Sequence, residues 1–335
     1  MSENAALADA IVTPRIEYAR VGTKKQRRDR HLHDQLIGAV VFGGPENGQH
    51  DPRCVRVGLK PLRGGDLMEI WRANGDVRMG LDDVVRYAAD THYLAGAIEL
   101  DERRYGGIAP AAEAAYAALR RFVAESAYPH LLRVWNYFDG INTGAGDAER
   151  YRLFCAGRAA GYGVLPGGGY AAATAIGRRD GDPTLQVYWL AGRVPGVPLE
   201  NPRQTSAYRY PREYGPTSPS FSRAMLVSQR LVLVSGTASI VGHASHHPGD
   251  LQAQLDETLA NLSSVIQRAS STAPLIPPRL GKGSMLKFYL REAAEASRLD
   301  SLLRRRLPAE TPYMILEADI CRSELLLEVD CLHGV

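Results

Sequence analysis

Apolar and polar positions alternate along this chain in two rhythms, and both are clearest between Leu231 and Arg268, LVLVSGTASIVGHASHHPGDLQAQLDETLANLSSVIQR. Leu231 to Ile240 is an apolar run broken by the small residues Ser235, Gly236 and Ala238. It predicts a buried strand whose small positions leave room for a ligand beside the backbone. After a turn with Pro248 and Gly249, Leu251, Leu255, Leu259, Leu262 and Ile266 recur at helical spacing. They predict one amphipathic helix, with Asp250 placed to cap its positive N-terminal end.

The same reading runs through the rest of the chain. Residues 1–34 are polar, and the basic run Lys24, Lys25, Arg27, Arg28, Arg30 reads as a solvated leader or surface loop. Strands are predicted at 35–42, 54–59 and 67–71, then an Ala-rich helix over 109–126 stopped by Pro129. A buried strand, LLRVWNYF, follows at 131–138, then a helix near 147–161 and strands near 171–176 and 185–191. The second half offers a strand at 231–240, a helix at 250–268, a strand at 284–290, a helix at 292–306 and strands at 312–319 and 324–330. Both halves read β, α, β, α, β, β, an internal duplication of element order rather than of residues. The predicted units are 35–192 and 224–335. The segment 193–223 joins them as a linker rich in Pro, Tyr and Arg, long enough to be functional.

Composition narrows the class. With 335 residues, 45% hydrophobic and 23% charged, the chain suits a globular protein of one large or two smaller domains. A net charge of +3 gives no reason to expect nucleic acid. No apolar run approaches a membrane span, and MSENAALADA lacks a signal-peptide pattern. Cys54, Cys155, Cys321 and Cys331 form no CxxC pair and read as reduced thiols of a cytoplasmic protein.

Several clusters carry candidate chemistry. Asn136, Tyr137, Asp139 and Asn142 end a buried strand, and Glu149-Arg150-Tyr151-Arg152 with Phe154, Gly157 and Arg158 follow on a helix. They suit a site, although on this stretch alone a capped helix start with surface charges is the commoner reading. The linker supplies Tyr208, Arg209, Tyr210, Arg212, Tyr214 and Arg223, a pattern that can hold a carboxylate or pack a loop on its own tyrosines. His243, His246 and His247 match no standard metal-ligand spacing. Gly167-Gly168-Gly169 and GKGS at 281–284 lack the context of a phosphate loop, and no GxSxG is present. In ADICRSELLLEVD, residues 318–330, alternation sets Glu324, Leu326, Glu328 and Asp330 on one face. A carboxylate deep in such a strand is costly unless protonated or paired, so Glu328 is a candidate acid with a raised pKa. The alternative is an edge strand whose acids meet water. Cys321 lies an odd seven residues earlier, so sharing a pocket with Glu328 requires a bulge near Ser323.

The stretch from SGTASIVGHAS to the helix, with CRSELLLEVD, resembles the RidA/YjgF-like fold. WNYFDGIN, ERYRLFCAGRA, ENPRQTSAYRYPREYGPTSPSFSRA and SGTASIVGHAS together resemble the chorismatase family over roughly residues 35 to 330. The resemblance implies an α/β (α+β) chain of two RidA/YjgF-like halves, with mixed sheets and helices packed on one face. It further implies chorismate as substrate, pyruvate as one product, no cofactor and no metal. Glu328 takes the place of the acid that protonates the enolpyruvyl methylene carbon, while Arg158, Arg223 and Tyr210 are the implied carboxylate clamps. In this family the position seven residues before the acid is small in chorismate hydrolases and cysteine in hydroxybenzoate formers. Cys321 therefore implies 3-hydroxybenzoate and/or 4-hydroxybenzoate, and Arg322 beside it is expected to favour a thiolate. Ala238 stands where glycine is expected in the branch making 3-hydroxybenzoate alone, which leaves the mixed-product branch open. Two alternatives stand beside this reading. One is a hydrolase giving 3,4-dihydroxycyclohexa-1,5-dienoate and pyruvate. The other is a RidA-like imine deaminase or small-metabolite binding protein, against which Tyr313 stands in place of the expected arginine.

Overall fold

A computed structural model describes residues 13–20, 35–43, 51–63, 67–163 and 169–334. The basic run of the leader and Gly167-Gly168 lie outside the described residues. Strands β1 (Arg15–Arg20), β2 (Leu36–Phe42) and β3 (Cys54–Val57) join a later strand in a first sheet. The two-residue strand β4 (Lys60–Pro61) leaves that sheet, and β5 (Leu67–Arg72) completes it in the order β1-β5-β2-β3. The strand β1 lies within the segment read as a polar leader. It is held there because Ile16 is buried and the strand pairs antiparallel with β5 along its whole length.

The second sheet takes β6 (Arg78–Asp82), β7 (Val85–Ala89), β8 (Tyr93–Asp101), β9 (His130–Asp139), β10 (Ala172–Arg178) and β11 (Thr184–Gly192), in the order β10-β9-β11-β8-β7-β6. Helices α1 (Ile108–Glu125) and α2 (Arg150–Tyr162) belong to the same half. They approach closely because α2 offers glycines: a Cβ at Gly157 or Gly161 would stand 1.9 Å or 2.3 Å from a carbonyl oxygen of α1. The strands β6 to β8 were not anticipated from the sequence. In β8 the centre of the run, Ala95-Gly96-Ala97, is weakly strand-forming, and Gly96 is needed there because a Cβ would stand 2.3 Å from the Trp189 ring.

The third sheet begins with β12 (Val197–Leu199), β13 (Ala224–Ser228) and β14 (Leu231–Ala238), followed by the small hairpin β15 (Ile240–Val241) and β16 (Ala244–Ser245). Helix α3 (Leu251–Thr272), β17 (Ser284–Leu290), helix α4 (Ala296–Arg306), β18 (Tyr313–Glu317) and β19 (Leu327–His333) complete the half. The strand order is β12-β13-β14-β19-β17-β18-β4. As expected, Asp250 caps α3, its carboxylate accepting from the Gln252 and Ala253 amides at 3.0 Å and 3.1 Å.

The expected mixed α+β architecture is present, with helices on one face of each larger sheet. One core cluster includes Ala111, Ala115 and Leu119 of α1 with Val134 and Trp189 of the second sheet. Another includes Leu255, Leu262 and Ile266 of α3 with Val234, Phe288 and Val329 of the third. Between the sheets lies a core containing Trp71, Trp135, Tyr137, Tyr188, Leu233 and Tyr289. The acidic strand is therefore no edge. It lies between β14 and β17, and it begins at Leu327 rather than 324 because residues 321–324 form a turn. No helix among the described residues is long and apolar enough to cross a membrane.

Candidate active site

Where the second and third sheets face each other, a cavity of about 390 Å³ opens. The six residues to which the resemblance gave roles all line it: Arg158, Tyr210, Arg223, Ala238, Cys321 and Glu328. Helix α2 brings Tyr151 and Arg158, seven residues and two turns apart on one face. The linker brings Tyr210, Tyr214 and Arg223, while β14, the 321–324 turn and β19 bring the rest.

Room for the acid comes from an irregularity in β14. Its pairing with β19 shifts between Val234 and Thr237, so Ser235 and Gly236 bulge opposite one position of the partner strand. A Cβ at Gly236 would stand 1.9 Å from Glu328 Oε1, so only glycine admits the carboxyl group. Ala238 lies directly opposite Glu328 in the register.

Two carboxyl groups on the same face of β19 meet different surroundings. Asp330 Oδ2 accepts from Trp135 Nε1 at 3.0 Å and Tyr289 OH at 2.9 Å. Arg133 and Lys287 lie 3.4 Å and 3.6 Å from its carboxylate. Lys287 in turn reaches Glu69 Oε2 at 2.9 Å, with both side chains fully buried. Burial alone would lower the lysine, yet Asp330 and Glu69 hold it above its usual value. Glu328 has no such company. Burial first, and then the neighbouring Asp330, push its pKa up to about 8 against the pull of Arg133 and Arg223. At neutral pH it holds its proton.

Cys321 Sγ lies 3.9 Å from Glu328 Oε2. The thiol is not a resting thiolate: burial and Glu328 raise its pKa, and the opposing effect of Arg322 is smaller. That corrects the expectation that Arg322 ionises it. The Arg322 guanidinium instead stacks over Tyr214 at 3.9 Å from the ring centre and donates to His243 O and Ser245 Oγ at 2.8 Å and 3.0 Å.

The other two arginines stand ready for an anion. Arg158 is 2% exposed, yet its Nε and Nη2 have no hydrogen-bond partner, while the rings of Tyr116 and Tyr162 flank its guanidinium. Arg223 donates from Nη2 to Tyr210 OH and Thr205 O, each at 2.7 Å, and its buried Nε is unpartnered. Buried cationic donors left open in a cavity point to a bound carboxylate.

Of the other candidates, Glu149, Tyr151, Arg152, Tyr214 and Glu324 also line the cavity, and the rest scatter. Arg209 and Arg212 do not line the cavity, and Arg212 pairs with Asp147 at 2.6 Å. Asn136 is buried between Tyr116 OH and Thr174 O. None of the three histidines lines the cavity. Sequence reasoning missed Thr174, which lines the cavity, and Arg133, whose charge acts on Glu328. For Arg133 the signal was a lone cation inside the apolar strand LLRVWNYF.

Residues 69–191 match the family model described as chorismatase FkbO/Hyg5-like, N-terminal. A 3-hydroxybenzoate synthase from Streptomyces hygroscopicus is 34% identical, covering 78% of this chain and 80% of its own. A chorismatase from Streptomyces rapamycinicus is 36% identical with the same coverage, and one from S. hygroscopicus is 32% identical over 97% of this chain and 96% of its own. A chorismatase crystal structure superposes with a TM-score of 0.83 at 28% identity, covering 96% of this chain and 98% of that one.

Proposed function

Because the chain belongs to the chorismatase family, we propose that it converts chorismate to pyruvate and hydroxybenzoate, with Glu328 as the acid that starts the reaction. The single observation that carries this reading is a carboxyl group held neutral near pH 7 inside a cavity with two open arginines. Chorismate carries two carboxylates, and Arg158 and Arg223 supply one guanidinium for each, with Tyr210 orienting Arg223. Held this way, the enolpyruvyl methylene carbon meets Glu328. Protonating carbon is slow, and an acid whose pKa lies close to the working pH suits it.

Proton transfer makes the methylene a methyl group and leaves an oxocarbenium ion, stabilised by the carboxylate charge now on Glu328. The ring hydroxyl then attacks the carbon bearing the ether oxygen. That carbon–oxygen bond breaks, its electrons pass to the pyruvyl oxygen, and pyruvate leaves. The hydroxyl proton returns to Glu328. The arene oxide so formed opens and loses a ring proton to give hydroxybenzoate, with no water consumed overall. In this reading Cys321, its Sγ 3.9 Å from Glu328 Oε2, assists that opening. Attack by water on the oxocarbenium carbon would give the non-aromatic dihydroxy acid instead.

The test is incubation with chorismate, following pyruvate by coupled assay and the ring product by chromatography. Pyruvate and hydroxybenzoate are expected in equal amounts. In Cys321→Ala, pyruvate release persists while the ring product moves toward the dihydroxy acid. An unchanged product ratio in that variant would make Cys321 part of the cavity wall and no more.

A further inference from the structure

The turn that carries Cys321 and Arg322 is neither strand nor helix, so its carbonyl groups need partners from elsewhere. Gln254 Nε2 supplies one, donating to Glu324 O at 2.9 Å, and a single arginine supplies three. Arg291, just after β17, donates from Nε to Leu325 O at 2.9 Å and from Nη2 to Ile320 O and Arg322 O at 3.1 Å and 3.0 Å. Its Nη1 meets Asp319 Oδ1 at 2.6 Å, and Nη2 also reaches Asn142 Oδ1 at 3.1 Å. The turn is thus wrapped around the guanidinium of a side chain that is 12% exposed and does not line the cavity.

The anchors come from both halves. Asn142 belongs to the loop after β9. Asp319 exchanges backbone hydrogen bonds with Gly177 of β10, both at 2.9 Å, and its carboxylate also pairs with Arg179. Arg291 therefore ties the turn to the second sheet, the wall that faces Glu328 across the cavity.

We propose that Arg291 is a positioning residue for product choice: its guanidinium holds the 319–325 turn so that the Cys321 thiol stays against Glu328. This rests on the reading of Cys321 as the residue that directs the ring product. Five N–H groups in one plane meet acceptors on several sides, which a lysine ammonium cannot reproduce. A reacting group displaced by about 1 Å loses on the order of 10²-fold in its step, so a loosened turn changes which route the intermediate takes.

Arg291→Gln and Arg291→Lys are compared with Cys321→Ala in two measurements. Iodoacetamide labelling, read at Cys321 by peptide mass spectrometry, reports the hold on the thiol directly. Chromatography reports the ratio of hydroxybenzoate to dihydroxy acid. Labelling at Cys321 is expected to speed up about tenfold or more in Arg291→Gln, and the product ratio to fall by a similar factor. The double variant with Cys321→Ala should match Cys321→Ala alone in ratio. Where Arg291→Gln does not fold by thermal melt, Asp319→Asn loosens the same anchor and should move both readouts in the same direction. Wild-type labelling and wild-type products in a folded Arg291 variant would overturn the proposal. Faster labelling in Arg291→Gln with unchanged products in Cys321→Ala supports the hold on the turn and overturns the product role of the thiol.

Discussion

The two halves of the molecule are built to one plan and have been put to different uses. In the second sheet the strand order β10-β9-β11-β8-β7 repeats, element for element, as β18-β17-β19-β14-β13 in the third. Glu328 on β19 faces Tyr289 of β17 and Ala238 of β14. The matching place on β11 is Gln186, which faces Tyr137 of β9 and Glu99 of β8. The two tyrosine hydroxyls meet at 3.0 Å, where the halves touch. At Gln186 every polar atom is spoken for: Nε2 donates to Arg56 O and Glu99 Oε1, each at 2.6 Å, and Oε1 accepts from Arg178 Nη1 at 3.3 Å. At Glu328 the neighbour is alanine, the partner strand bulges, and a cavity remains. A duplicated scaffold becomes a site where it leaves a polar group short of partners.

The comparison can be broken most severely by Glu328→Gln, which gives the working half the amide of the silent one. Turnover should fall by about two to four orders of magnitude, and pyruvate release above about a tenth of wild type would place the acid elsewhere. The same group governs pH. On the proposed mechanism protonated Glu328 is the active form, so kcat/KM should fall as pH rises through about 8. Its pKa is raised on folding, so its contribution to stability is complete below the ordinary value of 4.5 and is lost as pH rises through about 8. Thermal melts of Glu328→Gln should therefore gain on wild type across that interval.

A smaller break closes the bulge. Gly236→Ala puts a Cβ 1.9 Å from Glu328 Oε1 and displaces the acid, costing on the order of 10²-fold in kcat by steady-state assay. A variant with wild-type kcat would show that the carboxyl group reacts from another position. Arg158→Ala and Arg223→Ala should each cost about 1.5–3 kcal/mol of substrate affinity, read as a rise in KM. Unchanged kinetics in both would move the clamp to Arg322 or Arg152. The mildest change sharpens the contrast from the other side. Gln186→Ala should lower stability by about 1–3 kcal/mol in denaturant melts, by stranding the partners of the amide, with turnover at the wild-type level. A large loss of turnover would mean that the first half is not silent.

Much of this plan was legible where periodicity is local. The helices, the Asp250 cap and the strand 284–290 follow from spacing alone, and so does the cost of an acid within LLLEVD. The small positions Gly236 and Ala238 announced a space beside the chain. What spacing could not supply was the partner of each polar residue. Alternation in 324–330 looks like an edge strand because nothing local shows that a second sheet covers its acidic face. Lys287 in SMLKFYL and Arg133 in LLRVWNYF interrupt apolar strands for the same reason: their counter-charges lie far away in sequence, at Asp330 and Glu69. Arg291 looks like an ordinary residue after a strand, since three of its acceptors are carbonyl groups.

The buried lysine has a consequence for divisibility. Lys287 belongs to the last sheet, yet its nearest carboxylate, Glu69 at 2.9 Å, belongs to the first, and both side chains are fully enclosed. Cutting the chain in the linker would leave each fragment with a stranded charge or a newly wetted core. Removing one partner of a buried pair costs about 3–5 kcal/mol, a large share of the roughly 5–15 kcal/mol that holds a typical fold. Equal topology has not made the halves interchangeable modules. Each is an unfinished protein without the other, and the seam between them is sealed by a buried cation that takes one carboxylate from each side, Glu69 and Asp330.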